Sequence, residues 1–374
     1  MHLAIDVSEF EQQPTGVGSF IGGLLSAWAG AIERGQLQIT LLARDLQHEQ
    51  LPARCRGTVT IRNVGRRGAH PIVWQQTSLP VALRRLRADV FFGPAYSLPH
   101  FHATPSVVAM HDLSFERFPE SWSWRERWRR RLLARSAARR ARSIVTISRF
   151  SADELSQIYR VAPERIVVTP LGVRQSITTA PALDNAERRA VRNRLGLEPE
   201  ADLVLHVGTL FERRHLPELV AAVGRLEQPT QLVVVGADRT RAGLDFAELS
   251  RRHALKIPVV HLPWIDDEEL VRLYTSSDVL VSLSSYEGFG LPVLEAMAAG
   301  LPALVLDRGA SAELWGEHAA TVDSLEARAV ADAITGVLAE PDTGLRARHQ
   351  ALHHHTWDRC GEIVLEALQG AAAR

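Results

Sequence analysis

Lysine is almost missing from this chain of 374 residues: apart from Lys256, its 43 basic residues are arginines. With abundant alanine and leucine, that bias points to a GC-rich coding sequence more than to a function. Acidic residues also number 43, so the formal net charge is zero and nothing draws the whole molecule toward nucleic acid. The only two cysteines, Cys55 and Cys360, lie far apart and in no metal or redox motif. Such sparing use fits a reducing cytoplasm. No apolar run is long enough to span a bilayer. Residues 1–6 read as a short strand that soon meets charge, without the basic and apolar regions of a signal peptide. The run His353-His354-His355 is not a metal site, because consecutive helical residues fan around the axis and cannot face one ion.

What is present suffices for two domains. Hydrophobic residues make up 46% of the chain, ample for substantial cores, and the length exceeds that of a typical single domain. Short apolar strands alternate with helical patterns, which indicates parallel α/β layers. Strands are read at residues 3–5, 39–42, 59–61, 90–92, 107–109 and 144–146, then at 203–207, 232–235, 259–261, 279–281 and 303–305. Residues 174–200 are polar and rich in Pro, Ala and Glu, with a short helix over 188–194, and are the best linker. The expected division is therefore 1–175, a linker at 176–200, and a second domain at 201–355. An amphipathic helix follows in 356–374, where Trp357, Val364, Leu365 and Leu368 recur at helical spacing.

The most informative stretch is SYEGFGLPVLE, residues 285–295. The apolar run before it reads as a buried parallel strand, and the alanines after it continue a helix that Gly300 ends. Gly288 and Gly290 let a ligand approach backbone N–H groups of Phe289, Gly290 and Leu291 at a helix start, where the dipole favours phosphate. Pro292 fits the first turn, where no donor is needed. Glu287 lies in the turn and Glu295 a turn inside the helix, free to reach sugar or ribose hydroxyls.

Other strand-ends carry related signals. After the 203–207 strand come Gly208, Thr209 and the pair Arg213–Arg214, whose forked donors suit a diphosphate. After the first strand comes Thr15-Gly16-Val17-Gly18, where Gly16 and Gly18 permit close approach of phosphate or sugar. A third glycine is lacking, since Ile21 stands there. His111-Asp112 follows another strand, either as an oriented histidine or as a loop histidine beside a capping aspartate. Ser151, with Glu154 three residues on, reads as a helix N-cap, and Arg149 stands just before it. Trp264 and Ile265 lie in the loop after the 259–261 strand, where Trp264 either packs on a base or staples the loop. Residues 122–142 are dense in arginine, with Trp124, Trp128 and Leu132 four residues apart. Such a helix either lies on an anionic membrane surface or packs on the sheet with a solvated basic face. No nucleic-acid motif accompanies it.

These ordered landmarks resemble family 4 of the retaining glycosyltransferases, which have the GT-B fold. Glu287 and Glu295 match its E-x7-E motif within EGFGLPVLEAMAAGLP; residues 208–215 are similar to G-T-L-x-x-R-K-N, with Arg214 in place of lysine and His215 in place of asparagine. Residues 262–270 are similar to its F-L-G-Y-V-x-D-E-E-L loop, with Pro263 in place of glycine; His111-Asp112-Leu113 and Pro170-Leu171-Gly172-Val173 match further segments. The resemblance implies an α/β chain of two Rossmann-like parallel-sheet domains facing across a cleft, with the last helix crossing back to the first domain. It implies a retaining transfer of sugar from a nucleotide diphosphate donor, with Arg213 and Arg214 on the diphosphate. Glu287 and His111 would touch the sugar, Glu295 the ribose, and the Trp264–Ile265 loop the base. Gly16, Gly18, Asp112 and Arg149 would border the cleft.

Absence of a D-x-D triplet removes the usual signature of metal-dependent GT-A transferases, so no metal or other cofactor is expected. GDP-mannose is the leading donor, and a glycan or lipid-linked saccharide of cell-surface polysaccharide synthesis the acceptor, contacted near residues 65–76 and 94–100. The setting would be the cytoplasm, at the inner face of its membrane. The rivals are a nucleotide-sugar epimerase of the same fold, a catalytically silent nucleotide-binding partner of an assembly complex and, more distantly, an NAD dehydrogenase.

Overall fold

The computed structural model describes residues 1–10, 16–66, 68, 70–340 and 343–373; Thr15 of the glycine loop, and Arg67 and Ala69 of the 65–76 segment, lie outside them. The chain divides into two compact units, Met1–Gly172 with His355–Arg374, and Val173–His354. Each is an α/β unit built on one sheet, as the alternation of apolar strands and helices predicts.

Among the described residues, the first unit has seven parallel strands: β1 (His2–Asp6), β2 (Gln38–Ala43), β3 (Thr60–Asn63), β4 (Val90–Gly93), β5 (Ser106–Ala109), β6 (Ser143–Thr146) and β7 (Ile166–Val168), in the order β3-β2-β1-β4-β5-β6-β7. The second has six: β8 (Asp202–Val207), β9 (Thr230–Val235), β10 (Val260–Leu262), β11 (Val279–Ser282), β12 (Ala303–Leu306) and β13 (Ala320–Val322), in the order β10-β9-β8-β11-β12-β13. Only β7 and β13 escape the sequence reading. Both are three-residue edge strands, as is β10, which the sequence reading did find. In each unit the strand order reverses beside the first strand, at β1/β4 and at β8/β11. Loops at the carboxyl ends of those strands splay apart there and leave a crevice for ligands. Buried aliphatic side chains such as Val204, Leu216, Leu232, Val281 and Leu304 fill one core. Trp74, Phe91, Leu83 and Met110 belong to the other.

Residues 176–200 are folded rather than extended. The helix Asn185–Arg194 starts on a capping box of Asp184 and Glu187, and Arg188 and Arg192 each meet Asp278 at 2.6 Å. Their polarity reflects ion pairing within the second unit. At the other end of the chain, the helix Trp357–Ala373 packs on the helix Gly16–Glu33. A Cβ on Gly23 would lie 2.2 Å from the Trp357 ring, so glycine is needed for that approach. Trp28 Nε1 donates to the Gly361 carbonyl at 2.9 Å, and Arg142 Nη1 to that of Ala371 at 2.7 Å.

One expected cap is corrected. Ser148, not Ser151, caps the helix Arg149–Tyr159: Ser148 is extended and its Oγ accepts from the Ser151 N–H at 3.1 Å. Glu154 pairs instead with Arg117. Ser151, freed from capping, donates its hydroxyl to the His111 carbonyl at 3.0 Å.

Candidate active site

Because β8 and β11 are neighbours, with Val204 beside Val279 and Leu205 beside Leu280, the two loops that follow them meet. Arg213 stitches them together. Its carbonyl accepts from Ser285 N–H at 2.9 Å and from Ser285 Oγ at 3.3 Å; its Nε donates to the Tyr286 carbonyl at 3.3 Å. The guanidinium also lies 4.3 Å from the Phe211 ring centroid. Arg214 crosses Gly208, where φ is +132° and a Cβ would stand 2.6 Å from the Arg214 Nη1; that backbone angle favours glycine, and a side chain there would push the guanidinium aside. Arg214 Nη2 is 3.0 Å from Glu287 Oε1. Thr209 is exposed in the same loop. Gly290, at φ +88°, turns the chain into the helix Leu291–Ala299. Trp315, which nothing in the local sequence flags, props this turn from below, donating Nε1 to the Phe289 carbonyl at 2.9 Å. Gly208, Arg213, Arg214 and the segment from Glu287 to Leu291 therefore share one crevice.

Its electrostatics ask for an anion. Burial pulls the Arg214 pKa below its ordinary value; Glu287 opposes this and Arg213 adds to it. An arginine nevertheless stays charged. Arg213 Nη1, Arg214 Nε and Glu287 Oε1 are buried without a hydrogen-bond partner. The Arg214–Glu287 ion pair thus has the distance but not the alignment of a hydrogen bond. Buried donors left unpaired cost about 1–3 kcal/mol each, a cost that an anionic ligand would remove. Beneath them His206 donates Nδ1 to the Val281 carbonyl, 3.0 Å away. Burial, helped by Arg214, lowers its pKa to about 3.

His206 has a consequence for acid stability. Below the ordinary pKa of 6.5 the unfolded chain takes a proton that the native ring refuses down to about pH 3. Stability therefore falls as pH drops through that window, by up to about 1.4 kcal/mol per pH unit. His206→Gln is expected to flatten the acid limb of urea-unfolding midpoints between pH 6 and 4. An unchanged slope would mean that another group takes up the proton.

Glu295 is in a different situation from Glu287. It is buried, with Oε1 accepting from Arg174 Nε at 2.6 Å and Oε2 from the Tyr274 hydroxyl at 3.0 Å. Burial works against the Arg174 charge, but Glu295 and Asp267 more than offset it and raise its pKa. Burial and Glu295 push the Tyr274 phenol up, keeping it a donor. Trp264 is 67% exposed, so it does not staple its loop, and its ring face is open; Ile265 beside it is half-buried.

In the first unit, His111 follows β5. Its Nε2 is 2.9 Å from the Pro94 carbonyl, which can only accept, so the neutral ring carries its proton there and leaves Nδ1 as an acceptor. Burial lowers the His111 pKa, outweighing the Pro94 bond and Asp112, which keeps the ring neutral at neutral pH. Asp112 caps the following turn, accepting from Ser114 N–H at 2.9 Å. Tyr96, in left-handed backbone at φ +57°, stacks edge-on to His111 at 5.8 Å.

Beside it, at the β1/β4 switch, lies a cavity of about 210 Å³ lined by Asp6, Glu9, Gln75, Tyr96, Ser97 and Arg130 among others. Asp6 Oδ1 accepts from Ser8 Oγ at 2.7 Å, and Gln75 bridges Asp6 and Ser97 at 3.3 and 2.8 Å. Burial and then Asp6 raise the pKa of Glu9. Sequence reading singled out neither Asp6, the last residue of β1, nor Glu9 after it, since neither bears a motif. Gly16 and half-exposed Val17 open the helix Gly16–Glu33, and space for a Cβ at Gly16 is clear. Gly18 is buried in that helix, and Arg149 is exposed at the start of its own.

Comparison with known proteins agrees with both halves. A family model described as Glycosyltransferase Family 4 matches residues 16–176, and one described as Glycosyl transferases group 1 matches residues 187–353. The chain is similar to O-antigen chain mannosyltransferase B of Escherichia coli, 27% identical over 298 residues that make up 77% of this chain and 76% of that protein. It is also similar to the MMP α-(1→4)-mannosyltransferase of Mycolicibacterium hassiacum, 28% identical over 333 residues, 83% and 73% of the two chains. Among solved structures, sucrose-phosphate synthase from Thermosynechococcus elongatus superposes with a TM-score of 0.76 at 19% identity, over 100% of this chain and 99% of that one. With two parallel-sheet units, the paired strand-end loops of β8 and β11, and models of one family matching nearly end to end, this chain belongs to the family 4 glycosyltransferases of GT-B fold.

Proposed function

We propose that the protein transfers mannose from GDP-mannose to a saccharide acceptor of cell-surface polysaccharide synthesis, with retention at the anomeric carbon. The observation that carries this reading is the pair of buried, incompletely satisfied guanidiniums of Arg213 and Arg214 beside the start of the Leu291–Ala299 helix. A diphosphate placed there would meet both arginines and the helix-end N–H groups, which stabilise the charge that grows as the glycosidic bond breaks. These groups supply at the leaving group the positive charge that a metal ion supplies elsewhere, so turnover should survive EDTA. Glu287 would then exchange its imperfect contact with Arg214 for sugar hydroxyls, and Trp264 would offer its open face to the base. His111, neutral with Nδ1 as acceptor, would receive a hydroxyl of the sugar or of the attacking acceptor. The cavity with Asp6, Gln75 and Ser97 is chemically suited to a polyol acceptor. Mannosyltransferase names among the relatives support the choice of sugar.

Thermal-shift measurements with GDP-, UDP- and dTDP-sugars, followed by product analysis, test it. A selective rise in Tm with GDP-mannose, and a new α-mannosidic product, are expected. Conversion of donor alone to a second nucleotide sugar would establish the epimerase reading instead. Stabilisation without turnover on any acceptor would point to a silent binding partner.

A further inference from the structure

Several large apolar side chains of the first unit stand in water along one line. Trp124, Trp128 and Leu132 are 69%, 57% and 61% exposed. They sit four residues apart on the helix Trp124–Arg140, in one row with a rise of ~6 Å between neighbours. The row continues through Ser136 and Arg140. Ser136 Oγ meets His100 Nε2 at 3.2 Å, and Arg140 Nη1 donates to the Pro99 and His100 carbonyls at 2.7 and 2.9 Å. Those contacts hold the loop that presents Phe101, 78% exposed, at the end of the row. The helix packs through another face, where it buries Ala134, Ala137 and Ala138.

Charge selects the occupant of this ridge. The helix carries eight arginines against one acidic residue, Glu126. Arg131 and Arg135 share the single carboxylate of Glu116, at 2.7 and 3.7 Å. Arg125, Arg129 and Arg139 form no ion pair among the described residues. Exposed tryptophans flanked by unpaired arginines match the interface of an anionic bilayer: indole rings settle at headgroup depth and each guanidinium is drawn to lipid phosphate. The same two elements also wall the cavity beside His111. Arg129, next to Trp128, lines it, as does Ser97, four residues before Phe101. We infer that this ridge seats the first unit on an anionic lipid surface, and that the acceptor is a saccharide anchored in that surface. The second clause rests on the glycosyltransferase reading; the first does not.

Vesicle sedimentation separates the two. Full-length protein is expected to bind phosphatidylcholine vesicles containing about 30 mol% phosphatidylglycerol, more weakly as salt rises, and to leave pure phosphatidylcholine alone. The variant Phe101→Ser/Trp124→Ser/Trp128→Ser should bind at least about tenfold more weakly. Its Tm and its response to GDP-mannose should match the parent, since none of the three residues supports the core or the donor crevice. Absence of binding to anionic vesicles, equal binding by the variant, or a solution dimer that the variant abolishes would overturn the lipid assignment. For the acceptor, label from GDP-mannose incubated with a bacterial membrane extract should enter the organic-soluble fraction and fall in the variant. Label found only in water-soluble saccharides would overturn that clause while leaving vesicle binding intact.

Discussion

Arg213→Gln is expected to lower kcat by about a hundredfold to a thousandfold, the range seen when one preorganised donor to a developing anion is removed. The side chain is held by the Tyr286 carbonyl and the Phe211 ring, and its backbone carbonyl is fixed by the Ser285 N–H. Nη1 is buried with no hydrogen-bond partner. A group so constrained costs little to orient as charge develops, which is why its loss should appear in kcat more than in KM. Steady-state kinetics with GDP-mannose, together with melting curves without nucleotide, check this. A kcat within threefold of the parent in a folded variant would remove Arg213 from the chemistry. Arg213→Lys should recover part of the loss, because it keeps charge but not the fork.

Glu295→Ala should instead act first on stability. Removing the carboxylate takes from Arg174 its buried partner, leaving it only the exposed Asp267 at 2.7 Å, and leaves the Tyr274 hydroxyl without its acceptor; breaking such a buried pair costs up to about 3–5 kcal/mol. In a unit of this size that lowers Tm by roughly 10 °C. The resemblance alone predicts mainly weaker donor binding through the ribose. Since both Glu295 oxygens are committed, a ribose would have to share the carboxylate with Arg174 or displace it. Melting without nucleotide decides between these: an unchanged Tm would mean that the Arg174–Glu295 pair contributes nothing. The double substitution Arg174→Leu/Glu295→Leu should regain much of the stability, because it leaves no lone buried charge.

The contrast between these two residues shows where the sequence was readable. The strand, glycine turn and helix around Glu287 are continuous in the chain, so their residue types alone define the local geometry. Arg213 and Arg214 were readable because a loop at the end of a parallel strand has a known place in such folds. By contrast, the bond from Arg174 to Glu295 joins residues 121 apart, and nothing in either neighbourhood announces it. Trp315 and His206 likewise bond to residues distant in the chain, the Phe289 and Val281 carbonyls. The row of Trp124, Trp128 and Leu132 gave a correct helix but could not reveal its buried side. Alanines suffice where the helix touches the sheet closely, and the larger apolar residues are left outside. At Ser148 and Ser151 two good caps compete within one turn, and the extended backbone at Ser148 settles the choice.

The seating of Trp357 over Gly23 also sets an order of assembly. Trp28 and Gly361 are bonded across 333 residues, whereas the second unit is one uninterrupted stretch, Val173–His354. During synthesis the second unit can complete its core as soon as it emerges. The first, although made earlier, keeps the glycine-lined face of its opening helix bare until the last helix arrives. The half of the chain that begins first therefore finishes last, and a message truncated shortly before Trp357 would yield one sound unit joined to one that cannot close.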